Sequence, residues 1–296
     1  MATNTVINTN IRALTSHRNL AMVGANQSKA SQRLSSGKKI NSAADDAAGL
    51  AISDKMRAQI KGLDMAAKNA EDATSLIQTA EGSLTEVTNM VQRIRELAVQ
   101  AGNDTNTAED RQKIAKEMVQ LYEEIDAIAG RTEFNGKTLT TGAFSTASLH
   151  FQIGANGGQK LGLTIGKMTA SALNGSFGGA IKSLVNRLAA ATAGSVNNAE
   201  IKGASWSGFL GAIDKALATV NDQRAKLGAS QNRLDYTVKN LNVSSENLSA
   251  AKSRIEDTDM AKEMMNLTSA NVLQQAATSM LAQANQAPQS ITQLLG

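Results

Sequence analysis

The strongest pattern in the chain is a heptad repeat of apolar residues between Leu63 and Ala101. Alternate steps of three and four residues meet only apolar side chains over this stretch. Such a stripe, sustained over five repeats, is typical of a helix that packs along another helix in a coiled coil. At 1.5 Å per residue the helix would be about 60 Å long. The positions of the stripe are Leu63, Ala66, Ala70, Ala73, Ile77, Ala80, Leu84, Val87, Val91, Ile94, Ala98 and Ala101.

A polar stretch at residues 102–110, GNDTNTAED, interrupts this repeat and predicts a loop. A second and shorter apolar stripe follows it, and it predicts another helix. Gly130 stands at the end of this stripe, where glycine commonly terminates a helix. The stripe consists of Ile114, Met118, Leu121, Ile125 and Ile128.

The C-terminal half carries a longer stripe, in which every seventh residue from 213 to 255 is apolar. The positions between are mixed and include Arg224 and Lys252. Two interpretations stay open for these cations. A polar residue inside a seam can fix its register, or a long side chain can lie at the margin of the seam with its charged end in water. The strict positions are Ile213, Val220, Leu227, Leu234, Leu241, Leu248 and Ile255.

Between residues 131 and 168 the pattern changes to that of β-structure. Asn135-Gly136 is a strong signal for a tight hairpin turn. Apolar residues alternate at 149–153 and 161–165 around the turn sequence GANGGQ, which predicts a β-hairpin. Residues 169–205 are rich in small and polar residues and contain one short helix candidate, 181–193. We interpret them as a variable surface segment.

Both ends of the chain carry thin helical stripes of small or flexible residues. Each stripe alone would bury too little area to offset an ordering cost of about 1–2 kcal/mol per residue. We therefore expect the terminal helices to pack on each other and on neighbouring copies of the same chain, with the C-terminal one serving as an assembly helix. The N-terminal stripe is Ile7, Ile11, Leu14, Ala21 and Ala25, and the C-terminal one is Met264, Leu267, Ala270, Leu273, Ala277, Met280 and Ala284.

These patterns predict a mainly α fold, in which a long antiparallel coiled-coil or helical-bundle hairpin carries a small β-hairpin insert. We expect an inner domain of terminal helices from residues 1–43 and 257–296. A helical-bundle domain with the β-hairpin would comprise residues 44–168 and 206–256. The variable surface segment, 169–205, would complete the chain.

The composition offers little material for chemistry. There is no cysteine, only two histidines (His17 and His150), 3% aromatic residues and a net charge of +4 over 296 residues. Two isolated histidines do not make a metal centre, and no phosphate loop or catalytic motif is present. We therefore predict a protein that is not an enzyme, with no catalytic, cofactor or metal site, no nucleic-acid partner and no membrane insertion. The first 25 residues lack a cleavable signal peptide, so we expect a cytoplasmic chain or one exported without such a signal.

Long and specific sequence motifs lie at residues 33–63, 92–106, 124–139, 151–159, 224–264 and 283–295. These segments closely resemble bacterial flagellin. The resemblance covers roughly residues 1–168 and 210–296, and it implies a structural subunit that polymerises into the flagellar filament used for swimming. It also implies type III export, an export chaperone, cap and hook-junction proteins as partners, and terminal helices that line a central channel in an extracellular filament. The segments are RLSSGKKINSAADDAAGLAISDKMRAQIKGL, QRIRELAVQAGNDTN, EIDAIAGRTEFNGKTL, FQIGANGGQ, RAKLGASQNRLDYTVKNLNVSSENLSAAKSRIEDTDMAKEM and QANQAPQSITQLL.

The resemblance also implies recognition by innate immune receptors. The contact of the animal surface receptor would fall on Arg93, Leu97, Ile114 and Glu117, and Arg93 and Leu97 are four residues apart on one helix face. A cytosolic receptor would read Leu294 and Leu295. The central part of the chain is short, which indicates a short-core type without additional β-rich domains.

Some alternatives remain open from the sequence. The connector between the N-terminal helix and the first seam carries Lys38, Lys39, Asp45 and Asp46, which either pair across subunits or are solvated. A hook–filament junction protein shares the terminal helices, and a cytoplasmic coiled-coil chemoreceptor shares the long alanine-rich seams. An enzyme is the remotest alternative.

Overall fold

The computed structural model describes residues 10–173, 179 and 204–295, and five long helices dominate it. The predicted helix at 181–193 and Ile7 lie outside the described residues. The helices are α1 (Ile11–Ser36), α2 (Ala47–Ala101), α3 (Ala108–Arg131), α4 (Ala204–Glu256) and α5 (Met260–Leu295). The strands are β1 (Glu133–Phe134), β2 (Lys137–Thr138), β3 (Leu149–Gln152) and β4 (Lys160–Leu163). The chain is thus mainly α with a small β insert, which confirms the predicted fold class.

The chain divides into two compact units. The first contains the described residues up to Ile60 and those from Glu246 onward, and the second contains residues 61–245. Because α2 and α4 continue from one unit into the other, the division does not coincide with helix ends. The boundaries expected from the sequence, after residues 43 and 256, lie inside the first unit and remain predictions.

The second unit is built on the two long heptad stripes. Ala70, Ile77, Leu84, Val91 and Ala98 of α2 are buried without measurable exposure. They belong to one apolar core with the α4 stripe from Ile213 to Leu234. Leu241 and Ala66 form a small separate cluster at the end of this unit. Both predicted seams are therefore core positions here, and the helix pair buries its apolar faces against each other.

Polar residues at the edges of the seams connect α2 to α4. Arg95 Nε donates to Asp214 at 2.9 Å, and Ser245 Oγ donates to Asp64 at 2.8 Å. The half-buried Arg224 lies 3.8 Å from Glu81. These pairs show that the helices run antiparallel. Of the two interpretations of Arg224, the structure favours the margin of the seam, where the guanidinium reaches a carboxylate on the other helix.

α3 packs on the same core through its own stripe. Met118 and Ile125 are fully buried, and Ile114, Leu121 and Ile128 are partly buried against the cluster. The helix starts at a capping box, in which Thr107 and Asp110 each bond the backbone N–H of the other. This satisfies backbone donors that a helix N-terminus leaves unpaired.

The prediction that Gly130 terminates α3 is wrong. Gly130 is still helical, and the helix ends at Arg131, followed by Thr132 in an extended conformation. The N–H of Thr132 donates to Ile128 at 2.9 Å, and the Thr132 hydroxyl donates to the same carbonyl at 2.7 Å. The threonine satisfies the end of the helix without any left-handed residue, so a glycine cap is not needed.

The β-structure follows its sequence signals. Asn135 and Gly136 both have positive φ, 51° and 73°, as a tight turn between β1 and β2 requires. Strands β3 and β4 pair antiparallel with Leu149 opposite Leu163 and Phe151 opposite Leu161. The predicted hairpin is confirmed.

Polar contacts then fasten this hairpin to the helices. Asn69 of α2 donates to the Gln152 carbonyl at 3.1 Å. The buried Gln223 of α4 accepts from the Gly166 N–H and donates to the Thr164 carbonyl. The β insert is thereby part of the core of the second unit.

The heptad stripe of α4 weakens toward its C-terminal end. Leu248 and Ile255, which lie in the first unit, are only half-buried, whereas Leu227 and Leu234 are fully buried. The heptad spacing is the same throughout α4. The difference in burial therefore comes from the residues against which each turn of the helix packs.

We expect Leu234→Ala to reduce the free energy of unfolding by about 2–5 kcal/mol, because truncation of a buried leucine loses transfer energy and leaves a cavity. Urea unfolding of the full chain, followed by circular dichroism, measures this. Asn232→Ala changes an exposed residue one half-turn away and is the control, with an expected change within about 0.5 kcal/mol. Equal losses for the two variants would mean that the α4 stripe is not the core.

Candidate assembly site

Helices α1 and α5 pack against each other in the antiparallel sense. Asn10 Nδ2 donates to the Ala284 carbonyl at 2.7 Å, and Gln27 Nε2 donates to Asn271 Oδ1 at 2.6 Å. At the other end of the pair, the carboxylate of Glu263 lies 3.8 Å from the Arg33 guanidinium. Small side chains allow this close approach, since Ala30 and Ala270 are the buried apolar residues among the described side chains of the two helices. The predicted pairing of the two ends is confirmed.

The predicted stripe of α5 divides between two environments. Ala270 is buried, and Leu267, Ala277 and Ala284 are half-buried on the side that faces α1. Met264, Leu273 and Met280 remain exposed, with Leu273 at 53%. The prediction that neighbouring copies cover this stripe stays a prediction, and within one chain the stripe is covered only in part. The physical reason is the spacing, because repeated steps of three residues drift around a helix of 3.6 residues per turn.

Further apolar residues stand on the outer side of α5, and the sequence analysis missed them. Met265 is 67% exposed and Val272 is 60% exposed. From Met264 to the end the chain contains no Asp, Glu, Lys or Arg. A helix that is uncharged and apolar on several sides is characteristic of one that is covered on several sides. The absence of charge over more than thirty residues is visible in the sequence, and it could have indicated that α5 is covered on several sides.

The connector between α1 and α2 lies along the turn between α4 and α5. Gly37 caps α1 with φ 71°, and its N–H donates to the Arg33 carbonyl at 2.9 Å. The N–H of Lys39 donates to the Glu256 carbonyl at 2.7 Å, and the N–H of Thr258 donates to the Gly37 carbonyl at 3.0 Å. These backbone hydrogen bonds join the connector that follows α1 to the turn that precedes α5. The position of α5 is therefore coupled to that of α1.

Glu256 is the centre of a charge cluster at this crossing. Its side chain is 1% exposed, and Lys38 Nζ and Arg57 Nη2 lie 2.5 and 2.7 Å from Oε1. Lys252 Nζ lies 3.5 Å from Oε2. Burial by itself raises the pKa of Glu256, but the hydrogen bonds from Lys38 and Arg57 outweigh it and hold the pKa below its ordinary value. The cluster therefore keeps a buried carboxylate ionised.

The acidic residues of the connector are also used inside the chain. Asp45 contacts Lys29 Nζ at 2.8 Å and accepts from the N–H groups of Asn41 and Ser42, each at 3.2 Å. The hydrogen bond from Lys29, followed by that from the Asn41 N–H, lowers the pKa of Asp45 to about 2. Asp46 accepts from the Gly49 N–H at 2.9 Å at the start of α2. Pairing across subunits and simple solvation were the alternatives, and Lys38, Asp45 and Asp46 instead have partners in their own chain.

Two family models match the chain in the expected order. Residues 7–145 match the bacterial flagellin N-terminal helical region, and residues 210–295 match the bacterial flagellin C-terminal helical region. Together they cover most of the chain. This chain belongs to the bacterial flagellin family. Within the family its function is that of a structural subunit of the flagellar filament.

Full-length relatives agree with this assignment. The flagellin is 48% identical to a flagellin of Halalkalibacterium halodurans over 98% of this chain and 99% of that one. It is 49% identical to a flagellin of Bacillus subtilis, with the same coverage. It is 46% identical to the flagellar filament 33 kDa core protein of Treponema phagedenis, again over 98% and 99% of the two chains. The chemoreceptor and enzyme alternatives are not favoured.

A solved structure similar in fold is a putative flagellar hook-associated protein from Vibrio parahaemolyticus. The TM-score is 0.62, and the match covers 72% of this chain and all of that one. At 14% identity it indicates a shared fold and nothing more. Since full-length flagellins are far more similar, the hook–filament junction alternative is not favoured either.

The predicted receptor-contact residues do not share one surface in this flagellin. Arg93 and Glu117 are exposed, with Arg93 Nη2 3.0 Å from Glu117, and Ile114 is half-buried. Leu97 is 1% exposed and belongs to the core. Position 97 packs inward, into the apolar core that α2 shares with α3 and α4, even though it is only one turn from Arg93. The inclusion of Leu97 as a surface contact is therefore a correction to the sequence analysis.

Leu294 and Leu295 form the end of α5, and their side chains lie outside the described part of the flagellin. Within the described ranges, no group of three or more His, Cys, Asp or Glu side chains is arranged to hold a metal ion. None of the described helices is long and apolar enough to cross a membrane.

We expect Glu256→Gln to lower the free energy of unfolding by about 1–3 kcal/mol, because it weakens charge-assisted hydrogen bonds to two cations in a buried site. The matched control is Asp54→Asn, whose half-exposed carboxylate pairs with the same Arg57 at 3.1 Å. Its expected cost is below about 1 kcal/mol. Urea unfolding of both variants provides the comparison, and an unaffected Glu256→Gln chain would contradict a structural role for the cluster.

The lowered pKa of Asp45 predicts a pH dependence. The folded pKa of about 2 lies below the unfolded value of about 3.9, so the unfolded chain binds the proton first as the pH falls. The contribution of Asp45 to stability is complete above about pH 4 and is lost as the pH falls toward about 2.

Unfolding midpoints in urea, measured from pH 6 to pH 2, test this. Asp45→Asn should be less stable than the parent above pH 4, and the difference should close by pH 2. Asp235→Asn alters an exposed aspartate of α4 and should retain the parental pH profile. A stability difference for Asp45→Asn that stays constant across the range would be inconsistent with the lowered pKa.

Proposed function

We propose that this flagellin polymerises by burying the outer faces of α5 against neighbouring copies of itself. The observation that supports the proposal is the incomplete cover of α5. On its α1 side Ala270 is buried and Leu267 is half-buried, while large apolar side chains such as Leu273 and Met280 stay more than half exposed. No charged residue after Glu263 would have to be desolvated when further copies cover the helix.

The energetics favour assembly over isolation. Complete burial of a leucine or methionine side chain contributes about 1.5–3 kcal/mol relative to exposure. Met264, Met265, Leu273 and Met280 are each at least half exposed in the single chain, so about half or more of that free energy is available only on association. A terminal pair that buries so little by itself gains its stability from binding, as in other cases of folding coupled to association.

The alanine content of α1 and α5 suits the same role. Alanine has the highest helix propensity and the smallest side chain that is still apolar, so helices rich in it form readily and approach each other closely. In a helical polymer each copy meets several identical neighbours, so the uncharged surface of α5 after Glu263 has to pack in several directions.

The finer partners belong to the same proposal. We infer export by the flagellar type III route with a chaperone, growth beneath a cap, attachment through hook-junction proteins and residence in an extracellular filament. These inferences are supported by family membership. Recognition by a surface immune receptor would use Arg93, Ile114 and Glu117 without Leu97, and a cytosolic receptor would use Leu294 and Leu295.

We expect Leu273→Glu to leave the unfolding of the free chain unchanged and to abolish filament formation. In the single chain the new carboxylate would be solvated at a position that is 53% exposed, whereas in the assembly it would be buried without a partner at a cost of several kcal/mol. Melting curves of the free chain and seeded polymerisation, scored by electron microscopy, measure the two effects.

Two controls accompany this variant. Leu273→Met keeps volume and polarity and should polymerise normally. Val99→Glu adds the same charge at an equally exposed apolar residue of the second unit and should also polymerise. Normal filaments from Leu273→Glu would show that this face of α5 is not buried in the assembly.

A further inference from the structure

Methionine is the sulfur-containing residue of this flagellin, and its distribution is uneven. The chain has eleven methionines and no cysteine. All four methionines of α5 are about half exposed or more, and Met22 of α1 and Met65 of α2 are similarly exposed. Met118 and Met168 are buried in the second unit. The exposed thioethers are therefore concentrated on the terminal helices, with most on α5: Met260, Met264, Met265 and Met280.

The surroundings of Met264, Met265 and Met280 are mainly apolar or uncharged, and the exception is Arg12 beside Met280. Met264 and Met265 line one shallow depression with Val272 and Leu273 on the outer surface of α5. Met280 lines a second depression with Ile11 of α1. Each of these three methionines is at least half exposed in the free chain.

We propose that the α5 methionines are a modification site, at which oxidation by a hydroperoxide makes the free subunit unable to assemble. The inference rests on the proposed burial of α5 between copies. Methionine sulfoxide on this face would be tolerated by the free chain, but it would not be tolerated in the filament.

The reaction transfers one oxygen atom. The thioether sulfur attacks the terminal oxygen of hydrogen peroxide, the O–O bond breaks, the sulfur is oxidised by two electrons to the sulfoxide, and the peroxide is reduced to water. The product carries a strongly polar S–O group in place of an apolar sulfur. In the free chain water solvates this group, so folding is little affected.

The cost arises on assembly. When a neighbouring copy covers the face, the sulfoxide oxygen has to give up its water, and α5 beyond Glu263 offers no charged side chain to replace it. Burial in the filament would also protect the thioethers from the oxidant. Oxidation of the free subunit therefore blocks polymerisation. Exposure of the assembled filament to the same oxidant leaves these residues unmodified.

The test uses the full chain and hydrogen peroxide. Free subunit is oxidised, the peroxide is removed with catalase, and the modified methionines are located by mass spectrometry before seeded polymerisation. We expect sulfoxide on the α5 methionines, an unchanged melting curve and a critical concentration raised by about tenfold or more. Treatment with methionine sulfoxide reductases should restore polymerisation. Preformed filaments exposed to the same peroxide should keep these four residues unmodified.

Two variants locate the effect. Replacement of the four α5 methionines by leucine preserves volume and polarity and should give polymerisation that peroxide does not inhibit. Met65→Leu removes an equally exposed methionine of α2 and should remain sensitive to peroxide. Reductase rescue of the parent chain is an independent measurement if the quadruple variant assembles poorly.

The outcomes separate the two proposals. If untreated parent chain polymerises and the oxidised chain polymerises equally well, the modification site is wrong and the proposed assembly face is untouched. Inhibition that persists in the leucine variant also overturns the site. If Leu273→Glu polymerises normally, the assembly face itself fails, whatever peroxide does.

Discussion

Burial of apolar side chains along long helices is the interaction on which the rest of this flagellin depends. A helix with one apolar stripe is stable only when another surface covers that stripe, since local propensity alone does not offset the entropy of ordering. In the second unit α2, α3 and α4 cover one another, and residues such as Ile77, Met118 and Leu227 have no exposure. This unit is complete within one chain.

The terminal pair follows the same rule with a different result. α1 and α5 cover each other with alanine and half-buried side chains, and large apolar residues such as Val272 and Met265 remain in contact with water. The lack of charge on α5 removes the usual obstacle to covering those residues. The unfinished packing of one chain is thus the property that a polymer subunit requires, and the same property exposes its methionines to oxidants before assembly.

Charged residues have a separate task at the crossing between α1, α2, α4 and α5. Glu256 draws together Lys38 of the connector and Arg57 of α2, which are distant from it in sequence, with Lys252 one turn before it on α4. The backbone hydrogen bonds of Lys39 and Thr258 hold the connector between α1 and α2 beside the turn between α4 and α5. A buried carboxylate with these partners fixes one arrangement, because each alternative would leave it unpaired. Ion pairs and backbone hydrogen bonds therefore both hold the connector beside the turn into α5.

The sequence alone determined the helices, the seams and the β-hairpin, because heptad spacing and Asn-Gly turns are local signals. It also indicated that the two ends need partners. Only the tertiary structure decided how each stripe is used: Leu234 is buried and Leu248 half-buried at the same spacing, Leu97 packs under α3, and the α5 stripe divides between α1 and solvent. Glu256 was likewise not distinguishable from other helix-surface carboxylates in sequence. Burial and ion pairing depend on residues brought together from distant segments, and one-dimensional periodicity carries no information about which neighbour covers a given turn.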